Sequence, residues 1–279
     1  MEDIALVARL PLSQLAGRRG PLSFGYGIER TRELKIAQGE GHTSTYIAGN
    51  ETLSRVKIWE WPDQSQVWFA HRVDHASVAT DRTHMPTFGK DWNARTTMFW
   101  SGNRGQVRSM TMSGRDLWLA WATGRDVCVK RVRGDLCADA RQTFPQPTIE
   151  IAKIDTTYWR LRDEQFLWSG THGYAFPALA TNRDGDVGIG AVMNSSAGSP
   201  VPVVGYLTPQ LALAGPLHSA WLRAGDYSSL RPGSTDSSFV CAAFTERPDP
   251  RVPPNPANTR GWHYIEYGRG SAPRAARRG

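Results

Sequence analysis

The stretch 176–193, FPALATNRDGDVGIGAVM, reads as two apolar strands joined by a polar turn. Ala178, Leu179 and Ala180 lead in; Asn182, Arg183, Asp184, Gly185 and Asp186 turn the chain; Val187, Ile189, Ala191 and Val192 lead out. Asp-Gly between apolar runs is a strong hairpin signal, because glycine has no Cβ to oppose a positive φ.

The same rhythm recurs on both sides. Residues 33–38, 44–48, 54–61 and 66–73 read as four short strands separated by Gly-, Asn- or Pro-containing turns. In 54–61, Val56, Ile58 and Glu60 share one face, and Arg55, Lys57, Trp59 and Trp61 share the other. A polar excursion over 74–93 follows, then strands at 96–100, 106–112, 116–122 and 148–154, the last placing Ile149, Ile151 and Lys153 on one face. A third unit runs from 158 through the opening hairpin to 201–206, and a fourth holds 227–231, 238–244 and 262–267. Residues 13–27 are turn-rich, and only 209–224 has a helical composition, broken by Gly215-Pro216. Repeated units of four short strands with local connections predict an all-β chain: a β-propeller of four-stranded antiparallel blades, about four to five of them. A β-sandwich would need long Greek-key crossings, and these connections are short. The strand at 4–12 is expected to complete the last blade. Residues 1–269 then form one propeller domain, followed by a basic disordered tail at 270–279.

Composition agrees with a folded globule: 40% of the 279 residues are hydrophobic and 11 are Trp. Of the net charge of +7, six arginines (Arg18, Arg19, Arg269, Arg274, Arg277 and Arg278) lie in a Gly-flanked loop and the terminal stretch. The remaining body is nearly balanced, which does not point to nucleic acid. No run reaches the ~18 apolar residues of a membrane helix, so membrane insertion is not expected. The sequence begins Met-Glu-Asp, without the basic and then apolar pattern of an export leader. Cys128 and Cys137 are close enough for a short-loop disulfide in an oxidising compartment, whereas Cys241, within FVCAAF, reads as a buried thiol.

DWNARTTMFW at 91–100, FPQPTIEIAKID at 144–155, GYAFPALATNRDGDVGIG at 173–190, RAGDYSSLRPG at 223–233 and WHYIEYGR at 262–269 resemble a group of uncharacterised, mostly exported bacterial β-propeller proteins. Those proteins share a hairpin of the Pro-Ala…Asn-x-x-Gly-Asp-x-Gly kind, a Gly-Asp-Tyr segment and a final strand ending in Gly-Arg. The resemblance spans roughly 50–269 and implies a propeller acting outside the cytoplasm, in an extracellular or periplasmic location. Members are usually longer at the N-terminus, so an N-terminally reduced or truncated propeller is expected. They also commonly carry Trp before Gly-Asp-Tyr, where this chain has Ala224. Sialidase-like propellers share the architecture, but their Asp-box turns do not occur here.

Candidate site residues follow from these turns and loops. Asn182, Asp184 and Asp186 alternate as hard-cation oxygen ligands would, so Ca²⁺ is considered there, but no bidentate Glu follows and a plain hairpin turn is expected, with no cofactor. His172 and Tyr174 sit in a Gly-flanked loop, and together with Asp226, Tyr227 and Trp92 they are the expected ligand contacts on the rim. Trp159, Trp168 and Trp221 are further rim aromatics. Asp226 and Glu246, or Asp236, are the candidate acid/base carboxylates. His71 and His75, flanking Asp74, are weighed as metal ligands, and a pair of surface histidines is expected instead. No P-loop, dinucleotide fingerprint or nucleophile elbow is present. The expected function is binding of a glycan or protein ligand through rim loops. The alternatives are a sialidase-type glycoside hydrolase using axial carboxylates and a structural remnant. Oligomeric state is not readable from the sequence.

Overall fold

The computed structural model describes residues 5–10, 16, 24–29, 34–39, 42–52, 54–78, 106–123, 126–128, 131–133, 136–137, 141–195, 201–207, 223–246, 260–268 and 271–274. For 77–78, 126, 128, 131–133, 136–137, 141, 194–195, 201, 223–228, 243–246, 260–263, 265 and 271–274 it describes the backbone alone.

The chain is a β-propeller of antiparallel meander blades. Blade I holds Lys35–Ile36, Ser44–Thr52, Arg55–Pro62 and Phe69–Asp74; blade II holds Ser109–Ser113, Asp116–Thr123, Thr148–Asp155 and Arg160–Leu167. Among the described residues blade III has three strands, His172–Thr181, Val187–Ser195 and Val201–Tyr206. Blade IV has Arg223–Pro232, Ser238–Glu246, Arg260–Gly268 and Ser271–Arg274. In every blade the strands pair in sequence order, as a meander requires.

The blades stack face to face on apolar seams. Ala48, Val56, Ile58 and Val73 of blade I meet Met110, Leu117, Leu119, Trp121 and Ile154 of blade II. On its other face blade II turns Ala120, Ile149, Ile151 and Leu167 toward Leu179, Val187, Ile189 and Val203 of blade III. Blade III then packs Ala178, Ala180, Val204 and Tyr206 on Leu230, Phe239, Cys241 and Tyr267 of blade IV. The alternation read in 54–61 holds: Val56 and Ile58 face blade II, while Trp59 and Trp61 form a separate cluster on the other side.

That outer side is covered by a hairpin, Ala5–Arg9 with Gly25–Glu29. The first strand therefore does not complete blade IV, and the stretch read as turn-rich contains a strand. The glycines have a packing reason. A Cβ on Gly27 would lie 2.2 Å from the Trp68 ring, so only glycine lets the hairpin lie flat on the tryptophans. Glu29 anchors it, accepting from Trp59 Nε1 at 2.7 Å and pairing with Lys57 Nζ at 3.0 Å.

Other boundaries shift too. Residues 160–167, expected to open the third unit, are the outer strand of blade II. An insertion separates that blade's second and third strands. Its strands Asp126–Cys128 and Arg141–Thr143 form a small sheet with Ser77–Val78, which precedes blade II in the chain, and it also holds the pair Arg131–Arg133 with Leu136–Cys137. Of the terminal stretch expected to be disordered, Ser271–Arg274 pairs with Glu266 and Gly268 as an edge strand. The expected strand at 96–100 and the bulk of the weakly helical 209–224 lie outside the described residues. So do the side chains of Cys128 and Cys137. Cys241 is a free buried thiol, as read.

The opening hairpin forms as expected, with Thr181 opposite Val187 and Gly185 at φ +84°. A bulge between Ala175 and Ala178 interrupts its first strand, where Phe176 takes φ +51°.

The seam between blades III and IV is testable through its thiol. Burial pushes the Cys241 pKa up to about 11, and the side chain is 2% exposed. Cys241 is expected to resist a disulfide reagent at pH 8 in the native protein and to react on unfolding. Phe239→Ala, which opens a cavity beside it, should cost about 3–5 kcal/mol in urea denaturation and make the thiol reactive under native conditions.

Candidate functional site: an axial mouth and a buried junction

The first strands of the four blades, Lys35–Ile36, Ser109–Ser113, His172–Thr181 and Arg223–Pro232, are the inner ones, and neighbours in that order pack together. The ties between them are polar. Gln38 bridges to the next blade, donating its N–H to Met110 O at 3.1 Å and accepting from Met112 N at 2.8 Å. Thr111 Oγ1 donates to Gln38 O at 2.9 Å and lies 2.9 Å from Thr181 Oγ1. Ser113 Oγ donates to Gly185 O at 2.6 Å, and Asp184 N to Asp236 O at 3.1 Å.

The C-terminal ends of these strands and the turns after them enclose a mouth of about 1100 Å³. Gln38, His42, Ser113, Asn182, Arg183 and Arg231 supply its polar lining, and Ile36, Met112 and Pro232 its apolar part. Gln38 Oε1 is buried and accepts no hydrogen bond from the protein. Arg183 reaches Asp236 at 3.2 Å, but both side chains are well exposed and the pair is weak. None of the lining residues is Asp or Glu. Among the described residues the mouth therefore offers amide, hydroxyl, imidazole and guanidinium groups.

The hairpin turn beneath the mouth closes on itself. Asn182 Oδ1 accepts from Asp186 N at 2.8 Å, Asn182 N–H donates to Asp186 O at 3.0 Å, and Gly185 N–H to Asn182 O at 3.1 Å. Asn182 is buried and its oxygen already holds the turn, an Asx-type closure rather than an open ring of ligands.

The other rim candidates gather at the opposite end of blades III and IV. His172 begins an inner strand, with Nδ1 2.7 Å from Thr171 Oγ1. Tyr174 is not a rim residue: it is 6% exposed, in the seam between blades II and III, because the strand starts earlier than the Gly-flanked loop suggested. Asp226 and Tyr227 lie in a register shift between Ala224 and Ser228, and Glu246 sits opposite Arg223 near that end of the blade. Their side chains, and all of Trp92 and Trp221, are outside the described residues. Of the other aromatics, Trp168 is 52% exposed, while Trp159 is stacked on His71 with ring centroids 3.5 Å apart.

A second cluster escaped the sequence reading. His75 is no surface histidine: its side chain is 1% exposed and that of Glu150 is fully buried. His75 Nδ1 lies 3.1 Å from Glu150 Oε1, at the junction of blades I and II. Trp121 Nε1 donates to Glu150 Oε2 at 3.0 Å, and Ala76 N to Glu164 Oε1 at 2.8 Å. The two carboxyls also hydrogen-bond to each other, and burial pushes both up, to about 8. His71 and Asp74 take no part; Asp74 pairs with Arg55 at 2.6 Å. The available signal was Glu150 itself. In TIEIAKI it shares a face with Ala152 and Ile154, and that face is also buried.

No protein-family model matches the chain, and no curated protein matches it. Solved structures that it resembles include a thermostable family-43 glycoside hydrolase, at 10% identity and a TM-score of 0.28, covering 88% of this chain and 95% of that one. Another is the alpha-L-arabinofuranosidase from Lactobacillus brevis, at 11% identity and a TM-score of 0.33, covering 86% of this chain and 92% of that one. Likeness at this level carries no information about chemistry.

Asn182→Ala removes the bond to the Asp186 amide and should cost about 0.5–2 kcal/mol in thermal unfolding. The loss should be the same with and without millimolar Ca²⁺. A Ca²⁺-dependent difference would make the turn a cation loop after all.

Proposed function

We propose that the protein is a binding propeller that takes a glycan in the axial mouth. The observation that carries this reading is the polar mouth itself, about 1100 Å³ and lined by Gln38, His42, Ser113, Arg183 and Arg231. His42, Ser113, Arg183 and Arg231 present donors and acceptors of the kind a polyhydroxylated ligand needs. Ile36, Met112 and Pro232 supply apolar surface for the C–H faces of a sugar ring.

A glycoside-cleaving role is the second reading, and it needs two carboxyl groups flanking the bond. Membership of the exported propeller group, with action outside the cytoplasm, belongs to the same reading. A protein ligand at the rim is the competing occupant.

Gln38→Ala tests the proposal cleanly, since Oε1 has no protein partner to lose. A panel of oligosaccharides is first screened by calorimetry. For any binder, Gln38→Ala should weaken affinity about tenfold, with Tm changed by no more than about 2 °C. Arg231→Ala should weaken it too. Silence of the wild-type protein across the panel at millimolar concentration would sink the reading.

A further inference from the structure

We propose that His75, Glu150 and Glu164 form a divalent transition-metal site, of the Zn²⁺ or Mn²⁺ class, that staples blade I to blade II. The three side chains come from two blades and each offers one ligand atom, all within 4.8 Å of one another. Protein bonds to such ions are about 2.0–2.2 Å long, so ligand atoms around one ion stand about 3.4 Å apart. The cluster closes to that spacing by side-chain movements of about an ångström.

Three features beyond proximity point to a cation. Each carboxylate is already oriented by an outside donor: Trp121 Nε1 holds Glu150 Oε2, and the Ala76 amide holds Glu164 Oε1. Such donors to the ligands' outer oxygens fix the direction of the inner ones and tune the bound ion. Next, among the described residues no lysine or arginine stands in an ion pair with either carboxyl. The ionisable groups that act on these carboxyls are each other and His75, and among the described residues no lysine or arginine is included. Two carboxylates in an apolar seam are expensive unless neutralised, by protons or by a metal ion. Finally, Glu164 is only partly buried, so one of the three ligands is in part open to solvent.

The donor set selects the class of ion. One imidazole nitrogen with two carboxylate oxygens suits Zn²⁺ or Mn²⁺, whereas Ca²⁺ and Mg²⁺ prefer six or more oxygens. Three protein ligands leave one or more positions for water. Binding of the ion involves no redox step. The site lies at the junction of blades I and II and its residues are separate from those lining the axial mouth.

The test uses the purified full chain, stripped with chelator and desalted, then titrated with Zn²⁺ or Mn²⁺ and measured by metal analysis and thermal unfolding. The expected result is one equivalent bound and a Tm rise of several degrees, with no comparable rise from Ca²⁺ or Mg²⁺. Glu164→Gln should lower affinity at least tenfold, and Trp121→Phe, which removes an orienting donor but no ligand, should weaken it about tenfold. Co²⁺ substitution gives a readout independent of stability, since its d–d absorption should be present in the wild type and lost in Glu164→Gln. Failure of the stripped protein to bind any of these ions would overturn the assignment. So would metal stoichiometry that survives Glu164→Gln, or equal stabilisation by Ca²⁺.

Discussion

Blades II and III are buried on both faces at once, and the rest of the molecule is arranged around that constraint. A strand in such a blade cannot alternate apolar with polar, as a half-exposed strand does. It alternates between two seams. In Asp116–Thr123, Leu119 and Trp121 fill the seam toward blade I while Ala120 fills the seam toward blade III. In Thr148–Asp155, Ile149 and Ile151 face one way, and Glu150, Ala152 and Ile154 the other. An ionisable group at any such position enters a seam from which water is excluded, so Glu150 must be answered chemically and not by hydration. Three answers are present: an indole N–H, an imidazole and a second carboxyl.

The inner edge of each blade meets a different constraint. Its first strand has one ladder partner in its own sheet, so its remaining backbone groups must find bonds across to the next blade. Thr111, Ser109 and Ser113 provide them, with Ser109 Oγ accepting from Leu179 N at 2.8 Å. Short hydroxyl side chains suit this place, since they reach a neighbouring backbone without filling the axis. The same economy keeps the mouth open. Gln38 gives its backbone to blade II and is also part of the mouth's lining.

Much of this was legible in the sequence wherever the signal is local. The 176–193 hairpin, the two faces of 54–61 and the thiol in FVCAAF follow from neighbours a few residues apart. Gly25–Glu29 failed because glycine spacing that reads as turn chemistry reflects the rings of Trp61 and Trp68, some 35 to 40 positions away. The boundary between the second and third units failed because strand rhythm cannot show that residues 126–143 are an insertion between paired strands. Tyr174 failed since Gly170 and Gly173 mark a loop that ends sooner than they suggest; its ring is already in a seam. Above all, His75 and Glu150 are 75 positions apart, and no spacing rule joins them.

The insertion also gives the two ends of the propeller different characters. At one end short turns leave the axis open and polar. At the other, Val127 and Phe144 of the inserted sheet pack with Ala76 and Phe166, beside the residues that hold Glu150 and Glu164. That apolar lid lowers the local dielectric and strengthens every charge–charge interaction inside the junction. A cluster of one histidine and two glutamates would be a modest feature on an open rim. Under the lid it couples blades I and II through buried groups, which is why the insertion and the cluster are best understood as one device.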